Sequence, residues 1–200
     1  MSKPLLIAAI VAAASAPARA DEPVCNRVLP KSVIPYYGGR VNPTSVCFAD
    51  HALAEDNLAA GLDYGAGTSL LTMAGVPVAG CIIVDFRLSE QFREPTTLSS
   101  VTIIARPHAN VCAQARTPCQ PPYCGTGQDF LVFAKGPRGA RDPFVLVQRF
   151  TAATPNWSEY KVSTLNRYAT EVLAICRTGN GPARDDIAID AVKGCAFRTR

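Results

Sequence analysis

The chain has 200 residues, with 20 basic and 16 acidic side chains and a net charge of +4 when histidine is neutral. This length suits a single domain that buries a sizeable core. The basic residues form no run along the chain, so we expect no nucleic-acid partner, because nucleic-acid binders cluster lysine and arginine on one face. After the N-terminal segment there is no uninterrupted apolar stretch of about 18 residues, and the sequence predicts a soluble protein with no membrane span.

The first predicted element is a secretory signal peptide over residues 1–20. Lys3 precedes an apolar run at residues 5–13, and the segment closes with the A-R-A sequence of residues 18–20. This is the order of a signal peptide, and the apolar run is too short for the alternative of a membrane anchor. The segment holds two basic residues and no acidic one, which leaves 18 of the 20 basic residues against 16 acidic ones. We therefore expect a secreted or periplasmic protein that begins near Asp21.

All eight cysteines follow the signal peptide. Export places them in an oxidising compartment, so four disulfides are expected, although the sequence leaves their pairing open. Zinc is the alternative for the three cysteines between residues 107 and 128, but their C-x6-C and C-x4-C spacings suit zinc poorly. The cysteines are Cys25, Cys47, Cys81, Cys112, Cys119, Cys124, Cys176 and Cys195.

The mature N-terminus differs in composition from the rest of the chain. Residues 21–44 are broken by prolines and a Gly-Gly pair, which predicts an irregular arm with one short strand around Ser32–Tyr37. Residues 45–200 are expected to form the folded domain. A helical turn is predicted at Leu53–Ala60, where the glycine that follows ends it.

From residue 69 onwards the pattern is that of short β-strands. The segments are rich in β-branched and aromatic residues, and turn-forming residues separate most of them. Such a series, with no helical period of ten or more residues, predicts an all-β fold: an antiparallel β-sandwich of the jelly-roll type, stabilised by disulfides. The predicted strands are Ser69–Met73, Gly80–Phe86, Ser99–Ala105, Asp129–Ala134, Phe144–Phe150, Tyr160–Val162, Glu171–Cys176 and Asp186–Val192.

Two of these segments resemble the galactose-binding-like jelly rolls, which include discoidin-type domains and fucose-binding lectins. The signature of that group runs W-x-V-D-L and then I-x-x-V-x-I-x-x-R. Residues 84–86 read V-D-F and residues 98–106 read L-x-x-V-x-I-x-x-R, while Ile82 replaces the tryptophan. The A-E-D-N-L-A sequence of residues 54–59 is similar to the A-x-D-G-N loop of the group, without its glycine.

The last predicted strand resembles the closing strand of MAM domains. Residues 185–192 read D-D-I-A-I-D-A-V, and Cys195 follows them. Together, these segments extend the resemblance over roughly residues 45–195. It implies a domain that binds a glycan or a cell-surface protein without catalysis.

The alternation of residues around Asp85 has a physical consequence. In a strand, Ile82, Val84 and Phe86 share one face and are expected in the core. Asp85 then lies on the opposite face, where it must meet solvent, a loop amide or an ion, because a lone buried carboxylate is costly.

The resemblance also implies a structural calcium ion. The first and last strands of a jelly roll are neighbours, which brings acidic loops at their ends together, and calcium prefers such oxygen ligands. The expected ligands are Asp56, Asn57, Asp185 and Asp186, and Asp63 is a further candidate. The alternative is that these are solvated turn residues.

Candidate ligand-binding residues gather after the strand that ends near residue 105. Arg106, His108, Asn110 and Tyr123 are expected to bind a ligand, since sugar sites combine an aromatic face with a few polar groups. Trp157 is the only tryptophan, and it is either part of such a site or a packing residue in the core or at an edge.

The sequence gives no positive evidence for catalysis. It has two histidines, His51 and His108, no G-x-S-x-G elbow and no P-loop. Three functions remain open: a secreted or periplasmic carbohydrate-binding domain, a MAM-like adhesion module that binds a protein, and a small hydrolase that uses either a pair of carboxylates or a base and a nucleophile.

Overall fold

The computed structural model describes eight stretches of the chain. They are residues 25–36, 46–48, 60–62, 71–108, 128–136, 142–154, 156–178 and 186–198. The signal peptide lies outside these stretches, and so does the helical turn predicted at Leu53–Ala60 except for its last residue. Ala60 lies in a β-strand, so the turn does not extend to it. No helix in the part of the chain described here has the length and apolar character needed to cross a membrane.

The described residues form twelve strands, one short helix and one 3₁₀ turn. The helix α1 spans Leu88–Gln91 and the 3₁₀ turn spans Leu165–Tyr168. The strands are β1 Asn26–Val28, β2 Ser32–Tyr36, β3 Val46–Phe48, β4 Ala60–Leu62, β5 Leu71–Met73, β6 Val76–Asp85, β7 Thr96–His108, β8 Gln128–Lys135, β9 Phe144–Ala152, β10 Ser158–Val162, β11 Val172–Thr178 and β12 Asp186–Arg198.

The strands build two antiparallel sheets. In the front sheet the order is β10-β7-β12-β4-β3, and β1 also pairs with β12. In the back sheet the order is β2-β6-β11-β8-β9, and β5 pairs with β6. The chain crosses between the sheets at nearly every connection after β6, as in a jelly roll. The predicted all-β sandwich is confirmed, and each of the eight strands predicted after residue 69 has a counterpart.

The core lies between the two sheets and takes one face of each. The motif segment behaves as the alternation predicts: Ile82, Val84 and Phe86 are fully buried, and Asp85 faces outward. The Asp85 carboxylate accepts a hydrogen bond from the Arg87 backbone N–H at 2.9 Å. The other core residues of the sheets include Leu98, Val101, Ile103, Ala105, Phe130, Val132, Leu173, Ile175, Ile187, Ile189, Val192 and Ala196.

Two β-bulges let the front sheet keep its apolar residues inward. Ser99 is an extra residue in β7, because Cys195 pairs with Ser100 while Ala196 pairs with Leu98. Asp190 is an extra residue in β12, because its two neighbours pair with consecutive residues of β7. A bulge shifts the alternation of faces by one residue. The L-x-x-V spacing at residues 98–101 is therefore compatible with one continuous inward face.

The back sheet is apolar on both faces. Its outer face carries a second buried cluster around the Cys81–Cys176 disulfide, which joins two directly opposed residues of β6 and β11 at a Cα–Cα distance of 4.1 Å. The other buried members of this cluster are Met73, Val78, Leu131, Phe133 and Ala174. This explains why the segments around β8 and β11 are runs of apolar residues without polar alternation.

The predicted N-terminal arm contributes a strand to each sheet. The strand expected around Ser32–Tyr37 is present as β2, which pairs with β6. A second strand, β1, pairs with β12. Just before β1, Cys25 forms a disulfide with Cys195 of β12, with a Cα–Cα distance of 5.4 Å. Two disulfides are thus present in the described stretches. Cys47 lies in β3, and Cys112, Cys119 and Cys124 lie outside those stretches.

Candidate functional site

Arg106 lies near the end of β7, on the outer face of the front sheet. Its neighbour Ala105 is a core residue, so the alternation of the strand turns Arg106 away from the core. Arg106 is nevertheless only 3% exposed. Its guanidinium carbon lies 4.3 Å from the centroid of the Trp157 ring. This distance is that of a cation–π contact.

Trp157 stands immediately before the edge strand β10. Ser158 pairs with Ala105, which brings the preceding residue alongside Arg106. The Trp157 side chain is 38% exposed and is not part of either core cluster. Of the positions considered for Trp157, the structure shows the one at the edge of the sheet and not one in the core. Its ring lies on the outer surface of the sheet.

Asp190 completes the surroundings of Arg106. Its two neighbours in β12 pair with Ala105 and Ile104 of β7, so the bulge places Asp190 close to Arg106 in the sheet. Burial lowers the pKa of Arg106, while the charge of the Asp190 carboxylate acts in the opposite direction. The result is a nearly buried cation that contacts an aromatic ring and lies within the electrostatic influence of a carboxylate. We call these three residues the Arg106–Trp157 site.

The same face of the front sheet continues into a groove of about 600 Å³. Its floor is the Cys25–Cys195 disulfide and the middle of β7, β10 and β12. We call it the cationic groove, because its described lining contains three cations, Arg27, Lys161 and Lys193, and one acidic residue, Glu159. Its remaining lining residues are Cys25, Ser99, Ser100, Thr102, Gly194 and Cys195.

The strand register places the polar residues of the cationic groove in rows. Thr102 pairs with Lys161 on one side and with Lys193 on the other. Cys195 pairs in the same way with Ser100 and Arg27. Since neighbouring strands lie about 4.8 Å apart, the two lysines of the first row flank one threonine from opposite sides.

The structure describes only part of the residues that the sequence selected. Of the ligand candidates, Arg106 is described with its side chain, and the backbone of His108 pairs with that of Asp186. The side chains of His108 and Asp186 are outside the described part, as are all atoms of Asn110, Tyr123, Asp56, Asn57, Asp63 and Asp185. The described residues contain no cluster of three or more metal-ligating side chains.

The sequence did not indicate Asp190 or the cations of the groove as ligand-binding residues, although it did predict disulfides for Cys25 and Cys195. The alternation around Val101 and Ile103 is enough to turn Thr102 outward. No signal within a single strand, however, indicates that Lys161 and Lys193 lie on either side of it. That placement depends on which strands are neighbours and on their register.

Comparisons with known proteins give likenesses of structure only. No family model matches the chain, and no curated protein matches it. The K3 cleaved adhesin domain of Lys-gingipain from Porphyromonas gingivalis is similar with a TM-score of 0.46 and 14% identity, over 86% of this chain and 99% of that one. A family 29 carbohydrate-binding module from Piromyces equi has a TM-score of 0.40 and 11% identity, over 82% and 91% of the two chains.

A third solved structure is TmCBM61 in complex with beta-1,4-galactotriose. It has a TM-score of 0.38 and 11% identity, and the match covers 84% of this chain and 90% of that one. At these identities the likeness concerns structure and gives no argument for a shared ligand.

Proposed function

We propose that this protein is an exported, non-catalytic carbohydrate-binding domain of the galactose-binding-like type. The observation that carries the proposal is the Arg106–Trp157 site. It offers a partly exposed indole for the apolar side of a sugar ring, supported by the nearly buried Arg106 guanidinium. The half-buried Asp190 carboxylate lies near Arg106 and can accept hydrogen bonds from the sugar hydroxyls. A site of this kind, with an apolar wall and a few polar groups that converge on it, is general to the binding of small polar ligands.

The contact between Arg106 and the Trp157 ring restrains the indole, which favours ligand binding. Its contact with the nearly buried Arg106 side chain fixes one part of the ring, so little conformational freedom remains to be lost when a ligand binds. Tyr160 of β10 packs inward against Phe130 instead, with ring centroids 5.1 Å apart. The aromatic residues of this region are thus divided between the core and the ligand-binding surface.

The test is a glycan array followed by calorimetry on the oxidised mature protein. Trp157→Ala should weaken glycan binding by about tenfold or more, since truncating a central aromatic contact typically costs this much. Trp157→Phe is the matched control, because it keeps an aromatic face and should retain most of the affinity. Unchanged binding by a folded Trp157→Ala variant would rule out the site. Loss of binding in Arg106→Ala with the fold intact would support it, and unchanged array binding in that variant would remove Arg106 from the ligand site.

A calcium ion near the ends of β4 and β12 is part of the proposal. Leu62 pairs with Ile187, so the end of β4 lies beside the start of β12, where Asp186 is located. Asp63 follows Leu62 in the sequence, whereas Asp56 and Asn57 precede the other end of β4. This register favours Asp63 as a ligand together with Asp185 and Asp186 of the set inferred from the resemblance.

The alternative is an adhesion module that binds a protein. One observation favours it: Val145 and Leu146, on the edge strand β9, are 45% and 39% exposed. An exposed edge strand with apolar side chains is a template for pairing with another chain. Light scattering on the purified protein separates the two functions. A stable dimer that dissociates on Val145→Lys would favour the adhesion module, and a monomer would favour the glycan-binding domain.

A further inference from the structure

The described lining of the cationic groove carries more positive than negative charge. Arg27 and Lys161 are exposed and Lys193 is half-buried, and Glu159 is the one carboxylate among the described residues of the lining. A groove lined mainly by one sign of charge raises the local concentration of ligands of the opposite sign. The groove therefore favours an anionic ligand over a neutral one.

The row formed by Lys161, Thr102 and Lys193 has the geometry to hold an anionic group. Both lysines flank the same threonine, so an oxyanion above Thr102 can accept a hydrogen bond from its hydroxyl and contact both ammonium groups. Charge-assisted hydrogen bonds of this kind are about twice as strong as neutral ones. In the adjacent row Arg27 sits across from Ser100, with Cys195 between them, and repeats the combination of a cation with a hydroxyl.

The disulfide fixes the position of Arg27. The strand β1 has only three residues, and a strand so short has few hydrogen bonds of its own. The Cys25–Cys195 bond ties it to β12 two residues before Arg27. The backbone of the third cation is thereby fixed relative to the strand that carries Lys193.

The cationic groove and the Arg106–Trp157 site lie on one continuous surface. Thr102 and Arg106 are both outward residues of β7, and the four-residue interval between them is about 13 Å. A linear polymer that lies along the strand can contact both sites, whereas a single small anion cannot.

The distribution of charge distinguishes between classes of polymer. Glu159 lines the groove beside Lys161, and Asp190 lies near Arg106, so acidic side chains interrupt the cations along the surface. Nucleic acid carries one charge for every 1.7 Å of duplex, approximately, and would meet these carboxylates. A polysaccharide with at most about one anionic group per ring, and with neutral hydroxyls between, avoids that repulsion.

Building on the glycan-binding function proposed above, we infer that the ligand is an acidic polysaccharide, whose anionic groups bind at Lys161, Lys193 and Arg27 while a sugar ring contacts Trp157. The carboxylates of uronic acids and the sulfates of sulfated glycans share this chemistry.

The experiment compares acidic polymers with their neutral counterparts. The probes are polygalacturonate against its fully methyl-esterified form, and dextran sulfated at no more than one position per ring against dextran. Binding is measured by calorimetry and by the fluorescence of Trp157, the only tryptophan in the chain. We expect at least one acidic polymer to bind about tenfold more tightly than its neutral partner, and its affinity to fall as salt is raised.

The variants test the assignment of residues. Lys161→Gln combined with Lys193→Gln should weaken binding of that acidic polymer by about tenfold, because two partly exposed charge pairs together contribute about this much. The matched control is Lys31→Gln combined with Arg167→Gln. It removes the same charge from exposed residues outside the groove and should leave the affinity within about twofold. Melting curves confirm that both variants are folded.

The outcomes separate this inference from the proposed function. If each acidic polymer binds no better than its neutral counterpart, and only Trp157→Ala weakens binding, the acidic ligand is wrong and the glycan-binding function stands. If none of the polymers binds and the glycan array is also negative, both are wrong. Tighter binding to a short DNA duplex than to any of these polymers would also overturn the inference.

Discussion

Gly194 offers a test of the front sheet that does not depend on function. This residue of β12 pairs with Val28 and Val101 and points into the core. A Cβ atom placed on it would lie 2.8 Å from Phe86 Cε1, 2.8 Å from Val28 Cγ2 and 2.9 Å from Leu98 Cδ2. Atoms do not approach so closely without a shift of the neighbours, and all three neighbours are packed in the core.

The expected cost of Gly194→Ala follows from these contacts. Overpacking a core costs about 1–3 kcal/mol. The lower entropy of alanine in the unfolded chain offsets about 0.5 kcal/mol of this. We therefore expect the free energy of unfolding to fall by about 1.5 kcal/mol and the melting temperature to fall by about 3–6 °C. Urea unfolding of the oxidised protein measures the first quantity and calorimetry the second.

A double-mutant cycle tests the cause of the loss. Leu98→Ala alone should cost about 2–5 kcal/mol, but combined with Gly194→Ala the loss should be smaller than the sum by about 1 kcal/mol, because the two changes share one space. Gly75→Ala is the control. Gly75 has a φ of +77° and no atom within 4 Å of an added Cβ, so its cost is backbone strain and should add to that of Leu98→Ala. A Gly194→Ala variant within about 0.5 kcal/mol of the wild type would refute the register of β1, β12 and β7.

Three further predictions concern pH, calcium and the buried disulfide. Burial raises the pKa of Tyr160, so the free energy of unfolding should be constant up to about pH 10 and fall as the pH rises through the folded-state pKa. In urea unfolding, the free energy of the Tyr160→Phe variant should fall less over this range. An equal fall in the two proteins would contradict the raised pKa. For the proposed calcium site, calcium should raise the melting temperature relative to chelator, because an ion that binds the native state alone stabilises it. Asp185→Asn with Asp186→Asn should abolish the rise, and equal melting temperatures with calcium and with chelator would contradict the proposed site. Replacing Cys81 and Cys176 by alanine should cost about 2–5 kcal/mol in the same unfolding assay, and a loss below 1 kcal/mol would argue against this pairing.

The local strand pattern was sufficient to predict most of the fold. Segments such as Gly80–Phe86 read as strands because the alternation of apolar and β-branched residues is a property of neighbouring positions. The outward position of Asp85 follows from the same alternation, and the structure confirms it. The two sheets could be anticipated as a class of fold, because so many short strands without a helical period have few other ways to bury their apolar faces.

The features that the sequence did not predict depend on contacts between distant strands. Strict alternation along β12 would turn Ala191 inward, but the bulge at Asp190 turns Val192 inward instead. Arg177 is fully buried, whereas its residue type alone would predict an exposed side chain. The row across Thr102 joins lysines that are 32 positions apart in the chain, so no short motif could reveal it.

The disulfide between Cys25 and Cys195 determines how the domain responds to mechanical load. The two cysteines are 170 positions apart in sequence and their Cα atoms are 5.4 Å apart. A pull applied to the chain before residue 25 and after residue 195 passes through this covalent bond and bypasses the strands between them. Under such tension the oxidised bond should keep β1 attached to β12 and Arg27 in the cationic groove. In the reduced protein the same tension first peels β1 from β12 and removes Arg27 from the cationic groove.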